Sequence, residues 1–180
     1  MAEVACAIVV ALVTLAGCAT TPAPAPTTAT PTTAPVFASD EEALAAATEA
    51  YARFQEMSDQ IDNDGGGMPE RIAPFVSESY YPLAVEQSDG FREARARSVG
   101  MTSFLVDSAQ QLAYPSPEET SISLYVCDDV TEVDVIDEHG VSMVSDTRAA
   151  ITPFEVGFVM NSEGTLVVDS RDVWKGTNFC

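Results

Sequence analysis

The chain predicts an α+β fold in which N-terminal helices pack on an antiparallel sheet. Two observations predict it. Between Ser39 and Gly100, apolar residues recur at helical spacings and are punctuated by proline and glycine. After Gly100 the period falls to two, and short turn sequences separate the alternating runs. Helices first and adjacent strands afterwards leave the helices to cover one face of the sheet.

The first helix is marked at both ends. Ser39-x-x-Glu42 forms a capping box, and Asp40 and Glu41 add acids at the positive end of the helix dipole. Leu44, Ala47, Tyr51, Phe54 and Ile61 keep one apolar stripe. The helix stops within Asp59–Gly67, because Asn63-Asp64-Gly65-Gly66-Gly67 cannot sustain it. Pro69 opens a short second helix through Glu70, Arg71 and Ile72, since proline fits a first helical turn. Pro74 and Pro82 then break the chain, with Tyr80, Tyr81, Leu83 and Val85 as apolar contacts. The Arg- and Ala-rich stretch Phe91–Ser98 predicts another helix, ending at Gly100.

The strands follow in order. Met101–Tyr114 is expected to be extended, although its alternation is poor. Ser121–Cys127 alternates with Ile122, Leu124 and Val126 on one face. Val133 and Val135 alternate with Glu132 and Asp134, and Phe154, Val156, Phe158 and Met160 repeat the pattern. Leu166 and Val168 begin a last run that Val173 and Trp174 close. Glu138-His139-Gly140 and Asn161-Ser162-Glu163-Gly164 read as turns.

Ahead of the helices lies an apolar run, Val4–Ala16, that ends in Leu15-Ala16-Gly17-Cys18. It is shorter than the ~20 residues a membrane span requires. Leu-Ala-Gly-Cys resembles the lipobox of bacterial lipoproteins. The resemblance implies a signal peptide over residues 1–17, a diacylglyceryl group on Cys18, and anchorage at the outer, extracytoplasmic face of the cell membrane. Two acyl chains suffice for stable attachment. Residues 18–37 are then a tether rich in Thr, Pro and Ala, uncharged and expected to stay unfolded, and residues 38–180 form a single α+β domain. The tether is expected to hold the domain up to ~60 Å from the bilayer, at ~3.1 Å per residue. Signal peptides open with Lys or Arg, whereas this one opens with Glu3. Either the true start lies upstream of Met1 or targeting is weak, and the first is preferred because the lipobox and tether are otherwise in order.

A curved sheet folded over N-terminal helices resembles the cystatin-like or NTF2-like cone. Pro69-Glu70-Arg71-Ile72, Leu124-Tyr125-Val126-Cys127-Asp128-Asp129-Val130 and Asp172-Val173-Trp174-Lys175-Gly176, with Cys180, resemble uncharacterised lipoproteins of high-GC Gram-positive (actinobacterial) bacteria. The resemblance implies the fold and paired cysteines, and no reaction.

The net charge of −20 falls almost wholly in the domain, because all eight Lys and Arg residues and every acid except Glu3 lie there. Such a field repels nucleic acid, so no nucleic-acid partner is expected. With Cys6 removed with the signal peptide and Cys18 lipidated, Cys127 and Cys180 remain as an even pair in an oxidising compartment. A disulfide between them closes a loop of about 53 residues and contributes up to ~4 kcal/mol. The alternative is two free thiols. No Cys-x-x-Cys spacing points to a metal.

No catalytic set can be assembled from the residues. Counting Gly65 as the sixth position of a calcium loop puts Gln60, Asp62 and Asp64 at the first, third and fifth. Arg71 then stands where a bidentate Glu is required, so no metal is assigned. The single histidine, His139, sits in a turn, and Gly-x-Ser-x-Gly does not occur. NTF2-like enzymes such as ketosteroid isomerases pair an acid with a tyrosine inside the cone. Here Tyr51, Tyr80, Tyr81, Tyr114 and Tyr125 qualify by residue type alone, and no inward-facing Asp is identified. The densest acidic run contains Asp128, Asp129, Glu132 and Asp134 and reads as a solvated strand face, with contact to a basic partner or cation as its functional alternative. The expected role is a membrane-anchored, non-catalytic binding or accessory module without a cofactor, whose partner is a protein or small molecule. The alternative is a small cone-pocket enzyme or carrier for an apolar ligand.

Overall fold

The computed structural model describes residues 34–180, so Cys18 and the lipobox lie outside the described residues. Helix α1 spans Asp40–Asn63. Ser39 Oγ accepts from the Glu42 N–H at 3.3 Å, and Glu42 Oε2 accepts from the Ala38 N–H at 2.8 Å. The buried stripe is Ala43, Ala47, Ala50, Tyr51, Phe54 and Ile61. Its three alanines carry little bulk, which lets the helix axis lie close to the sheet. The helix ends as Gly65 and Gly66 take positive φ. A side chain at Gly66 would meet the Ser88 carbonyl at 2.3 Å, so glycine there lets the next helical layer approach.

A 3₁₀ helix, Pro69–Phe75, carries the chain to α2 (Tyr81–Gln87) and α3 (Asp89–Ala94). Phe91–Ser98 is therefore not one helix. Arg95 adopts φ 52 and ψ 40, the left-handed conformation that stops a helix. Arg97–Val99 then forms strand β1.

The main sheet has the order β2-β3-β5-β6, with β2 at Ser103–Ala113, β3 at Ser121–Asp129, β5 at Ile151–Met160 and β6 at Leu166–Val173. All its pairings are antiparallel. Register shifts between Val106 and Ser108 and between Ala109 and Gln111 explain the poor alternation of β2. β4, Asp134–Ile136, does not join this sheet and pairs instead with β1 in a separate two-stranded ribbon. The acidic segment around Glu132 is therefore not one long strand face.

Tyr51, Phe54, Ile122, Leu124, Val126, Val156, Phe158 and Val168 fill the helix–sheet interface, each at most 3% exposed. The α+β architecture, helices on one face of an antiparallel sheet, is as the sequence predicts. The opposite face of the sheet is partly covered by the chain after β6. Trp174 donates its backbone N–H to Pro153 O at 2.9 Å, and Cys180 joins Cys127 in a disulfide. Tyr125 meets Trp174 at 5.1 Å and Phe179 at 5.2 Å between ring centroids. Gly176 lies under the Trp174 indole, which would sit 2.6 Å from any side chain there.

Candidate functional site

Period two carries Ile122, Leu124 and Val126 to the inner face of β3, and it carries Asp128 with them. Asp128 is 2% exposed and lies in the core, not on an acidic surface. Helix α1 sets Tyr51 over it, and β6 brings Arg171 from the far side. The Tyr51 hydroxyl donates to the carboxylate, 2.9 Å from Oδ1 and 2.7 Å from Oδ2. Arg171 Nη2 donates to Oδ2 at 2.5 Å, and its Nε donates to the Tyr51 hydroxyl oxygen at 3.0 Å. Gln55 Nε2 stands 3.5 Å from Oδ2. The guanidinium lies over the Phe154 ring, 3.6 Å from its centroid.

Burial pushes the Tyr51 hydroxyl far above its ordinary pKa, and the opposing charge of Arg171 does not cancel the shift. Tyr51 therefore stays a donor. An acid beside a tyrosine hydroxyl is a pairing that some proton-transfer sites use. Here the acid is already neutralised by a guanidinium and the hydroxyl is already engaged. The arrangement can hold α1 to β3 and β6, and as built it offers no free base.

Two more acids follow along α1. Asp59 accepts from the Thr102 N–H at 2.7 Å and from its hydroxyl at 2.8 Å, which fastens the start of β2 to the helix. Burial raises the Asp59 pKa, and the bonds from Thr102 work against the shift. Burial first and the Asp59 charge second push Asp62 up to about 7. It borders a space of about 30 Å³ that Ser58 and Gln87 also line, room for a water. Asp64 binds Arg71 Nη2 at 2.7 Å, so the residue that breaks the calcium-loop pattern neutralises one of its acids. Among the described residues, no group of three His, Cys, Asp or Glu side chains is placed to hold a metal ion.

The other acids of the run are tied into turns. Asp129 accepts from the Thr131 N–H at 2.8 Å and from its hydroxyl at 2.5 Å, and these bonds lower its pKa. Asp134 Oδ1 accepts from the Val135 N–H and the Ser142 hydroxyl at 2.8 and 2.7 Å. Glu132 is exposed. His139 sits in the turn after β4, its Nε2 3.7 Å from Glu138. Of the other tyrosines, Tyr114 bonds Asp40 at 2.6 Å, Tyr80 is bonded by Gln87 at 3.4 Å, and Tyr125 packs against Trp174. An open groove of about 840 Å³ runs between the end of α1, the α3–β1 turn and the turn after β4. Arg92, Arg95, Arg97 and His139 line it together with the carboxylates of Asp64, Asp137 and Glu138.

The fold thus defines the class of helix-on-sheet α+β domains, and a solved structure shares that fold. The intermembrane space region of the chloroplast protein ARC6 is similar with a TM-score of 0.51 at 9% identity, over 72% of this chain and 95% of that one. A protein from Catenulispora acidiphila is similar with a TM-score of 0.49 at 15% identity, over 73% of this chain and 89% of that one. Another structure from that organism, in complex with S-DNPA, is similar with a TM-score of 0.46 at 14% identity, over 72% and 90%. No family model and no curated protein matches the chain.

Proposed function

We propose that the chain is a lipid-anchored, non-catalytic binding or accessory module, held by Cys18 at the outer face of a membrane and built on an NTF2-like or cystatin-like cone. The observation that carries this reading is the state of the cone's interior. Arg171 fills the space beside Asp128 and Tyr51, and large apolar side chains fill the rest. An interior closed by the protein's own side chains leaves the surface as the means of recognition. Asp129, Glu132 and Asp134 contribute an acidic face for a basic partner, and Asp128 does not belong to it. Binding through that face weakens with salt, since the Debye length is ~10 Å at 0.1 M.

The test uses the full-length protein in two arms. Cross-linking in isolated envelopes captures a basic partner that is lost when Asp129 and Glu132 are changed to Lys, while far-UV circular dichroism shows the fold retained. Partner capture indifferent to both substitutions and to salt refutes the acidic face. Turnover of an apolar carbonyl compound, abolished by Asp128→Asn, overturns the non-catalytic reading in favour of a cone enzyme.

A further inference from the structure

Arginine is scarce in this chain, and most of it is engaged by the chain's own groups. Arg53 meets Glu49 and Arg71 meets Asp64, both at 2.7 Å, Arg92 bonds Asp89, and Arg171 meets Asp128 at 2.5 Å. Arg148 is held by the carbonyls of Val130 and Val133 at 2.9 and 2.7 Å. Among the described residues, Arg95, Arg97 and Lys175 are the cations left with neither a close carboxylate nor a pair of bound carbonyls, in a chain with 28 acids. Arg95 comes no nearer than 3.9 Å to Glu138. Two of these three cations lie two residues apart and line the same 840 Å³ groove.

The backbone adds an independent point. Arg95 is one of two non-glycine residues at positive φ among the described residues, at the helix-ending position that glycine fills without strain. Its side chain is 78% exposed and makes no hydrogen bond to the rest of the domain. A strained arginine with no structural bond is unexplained by folding alone. Phe91 and Ile136 add apolar lining to the groove.

We propose that this groove binds a compact oxyanion, a carboxylate or phosphate monoester carried on a small apolar body, between the guanidiniums of Arg95 and Arg97. The planar fork of a guanidinium matches both oxyanions with paired N–H donors. Glu138, 3.9 Å from Arg95 and 3.7 Å from His139, is the chain's own weak stand-in, and the ligand displaces it. The net charge of −20 sets the size of the ligand. A polyanion or an anionic bilayer surface would meet the whole repulsive field, whereas a single oxyanion meets the groove's own lining, in which Asp64 is paired with Arg71 and Asp137 is held by the N–H groups of His139 and Val141. The assignment goes beyond the module reading and stands whether or not the acidic face has a basic partner.

The experiment titrates the purified full-length protein with phenylacetate, phenyl phosphate and inorganic phosphate, followed by NMR shifts and calorimetry. The expected result is saturable binding of both aryl probes, tighter than inorganic phosphate. Arg95→Gly and Arg97→Ala each weaken it about tenfold, the loss of one charge-assisted contact. Glu138→Gln tightens it about threefold by removing a competing charge. Lys175→Ala leaves it unchanged. Arg95→Gly also melts no lower than the parent, because glycine relieves the strained φ. Absence of saturable binding overturns the proposal. So does binding that survives Arg95→Gly and Arg97→Ala, equal loss in Lys175→Ala, or weaker binding in Glu138→Gln. Arginine-dependent retention on phosphatidylglycerol vesicles at 0.1 M salt refutes the preference for a compact oxyanion.

Discussion

Replacing Arg171 by Met tests what the buried pair does for the domain. The side chain of Arg171 is 20% exposed and that of Asp128 2%. Removing the guanidinium leaves Asp128 with the Tyr51 hydroxyl and a distant Gln55 amide as its donors. Breaking a buried pair from one side costs about 3–5 kcal/mol, because the remaining charge stays desolvated. Loss of the contact with the Phe154 ring adds about 0.5–1 kcal/mol. The expected destabilisation is about 3.5–6 kcal/mol, or roughly 10–20 °C in melting temperature for a domain of this size. Urea unfolding monitored by far-UV circular dichroism measures it. The double variant Asp128→Leu/Arg171→Met removes both charges and is expected to recover most of the loss, because similar apolar replacements of buried pairs are close to neutral. An Arg171→Met protein within ~1 kcal/mol of the parent would refute the reasoning, as would a double variant less stable than either single one.

The other predictions concern separate parts of the molecule. Asp62 titrates near 7 in the folded protein against 3.8 ordinarily, so its contribution to stability is full below about pH 4 and lost as pH rises through 7. Asp62→Asn, which cannot ionise, therefore gains about 2 kcal/mol on the parent between about pH 4 and pH 8. The figure is half of what a three-unit shift converts to, because a water-sized space lies beside the carboxyl. Paired urea titrations across that range check it, and parallel curves sink the argument. Gly66→Ala is expected to cost about 3 kcal/mol, since alanine resists positive φ and its Cβ meets Ser88 O. Cys180→Ser is expected to cost up to ~4 kcal/mol and to shift Trp174 emission to the red as the C-terminal segment lifts from Tyr125. Cys18→Ala is expected to release the protein from the membrane fraction, and mass spectrometry of the parent to find an acylated Cys18 peptide. A variant that stays membrane-bound after processing refutes lipidation.

Local rules made much of the fold legible. The capping box at Ser39 and Glu42 and the glycines after Asn63 bound α1, and strict alternation identified β3 and β5. Asp128 shows where reading by composition misleads. It stands in an acidic run, and acids in a run suggest solvent. Yet Ile122, Leu124 and Val126 set an inward parity that Asp128 continues, so the signal for its burial was present. Its partner has no such local signal. Arg171 pairs with Val156 only because the β5–β6 register shifts at Gly157 and Phe158, and no local pattern marks that shift. Arg95, Ala96 and Arg97 favour helix locally, whereas the pairing of β1 with β4, Ser98 opposite Val135, is a tertiary contact. The groove has no signature in the sequence because its arginines and His139 meet only after the chain folds.

The bond between Asp128 and Arg171 also discriminates among wrong pairings. It joins the first and third of three consecutive strands in the sheet, with β5 between them. A slip of β6 by one residue would turn Arg171 to the opposite face and strand a charge in the core. The irregularity at Gly157 and Phe158 is where such a slip would begin, and apolar residues at these positions would tolerate it. The double variant expected to regain stability should therefore lose uniqueness, with a second set of amide resonances along β6 reporting a competing register.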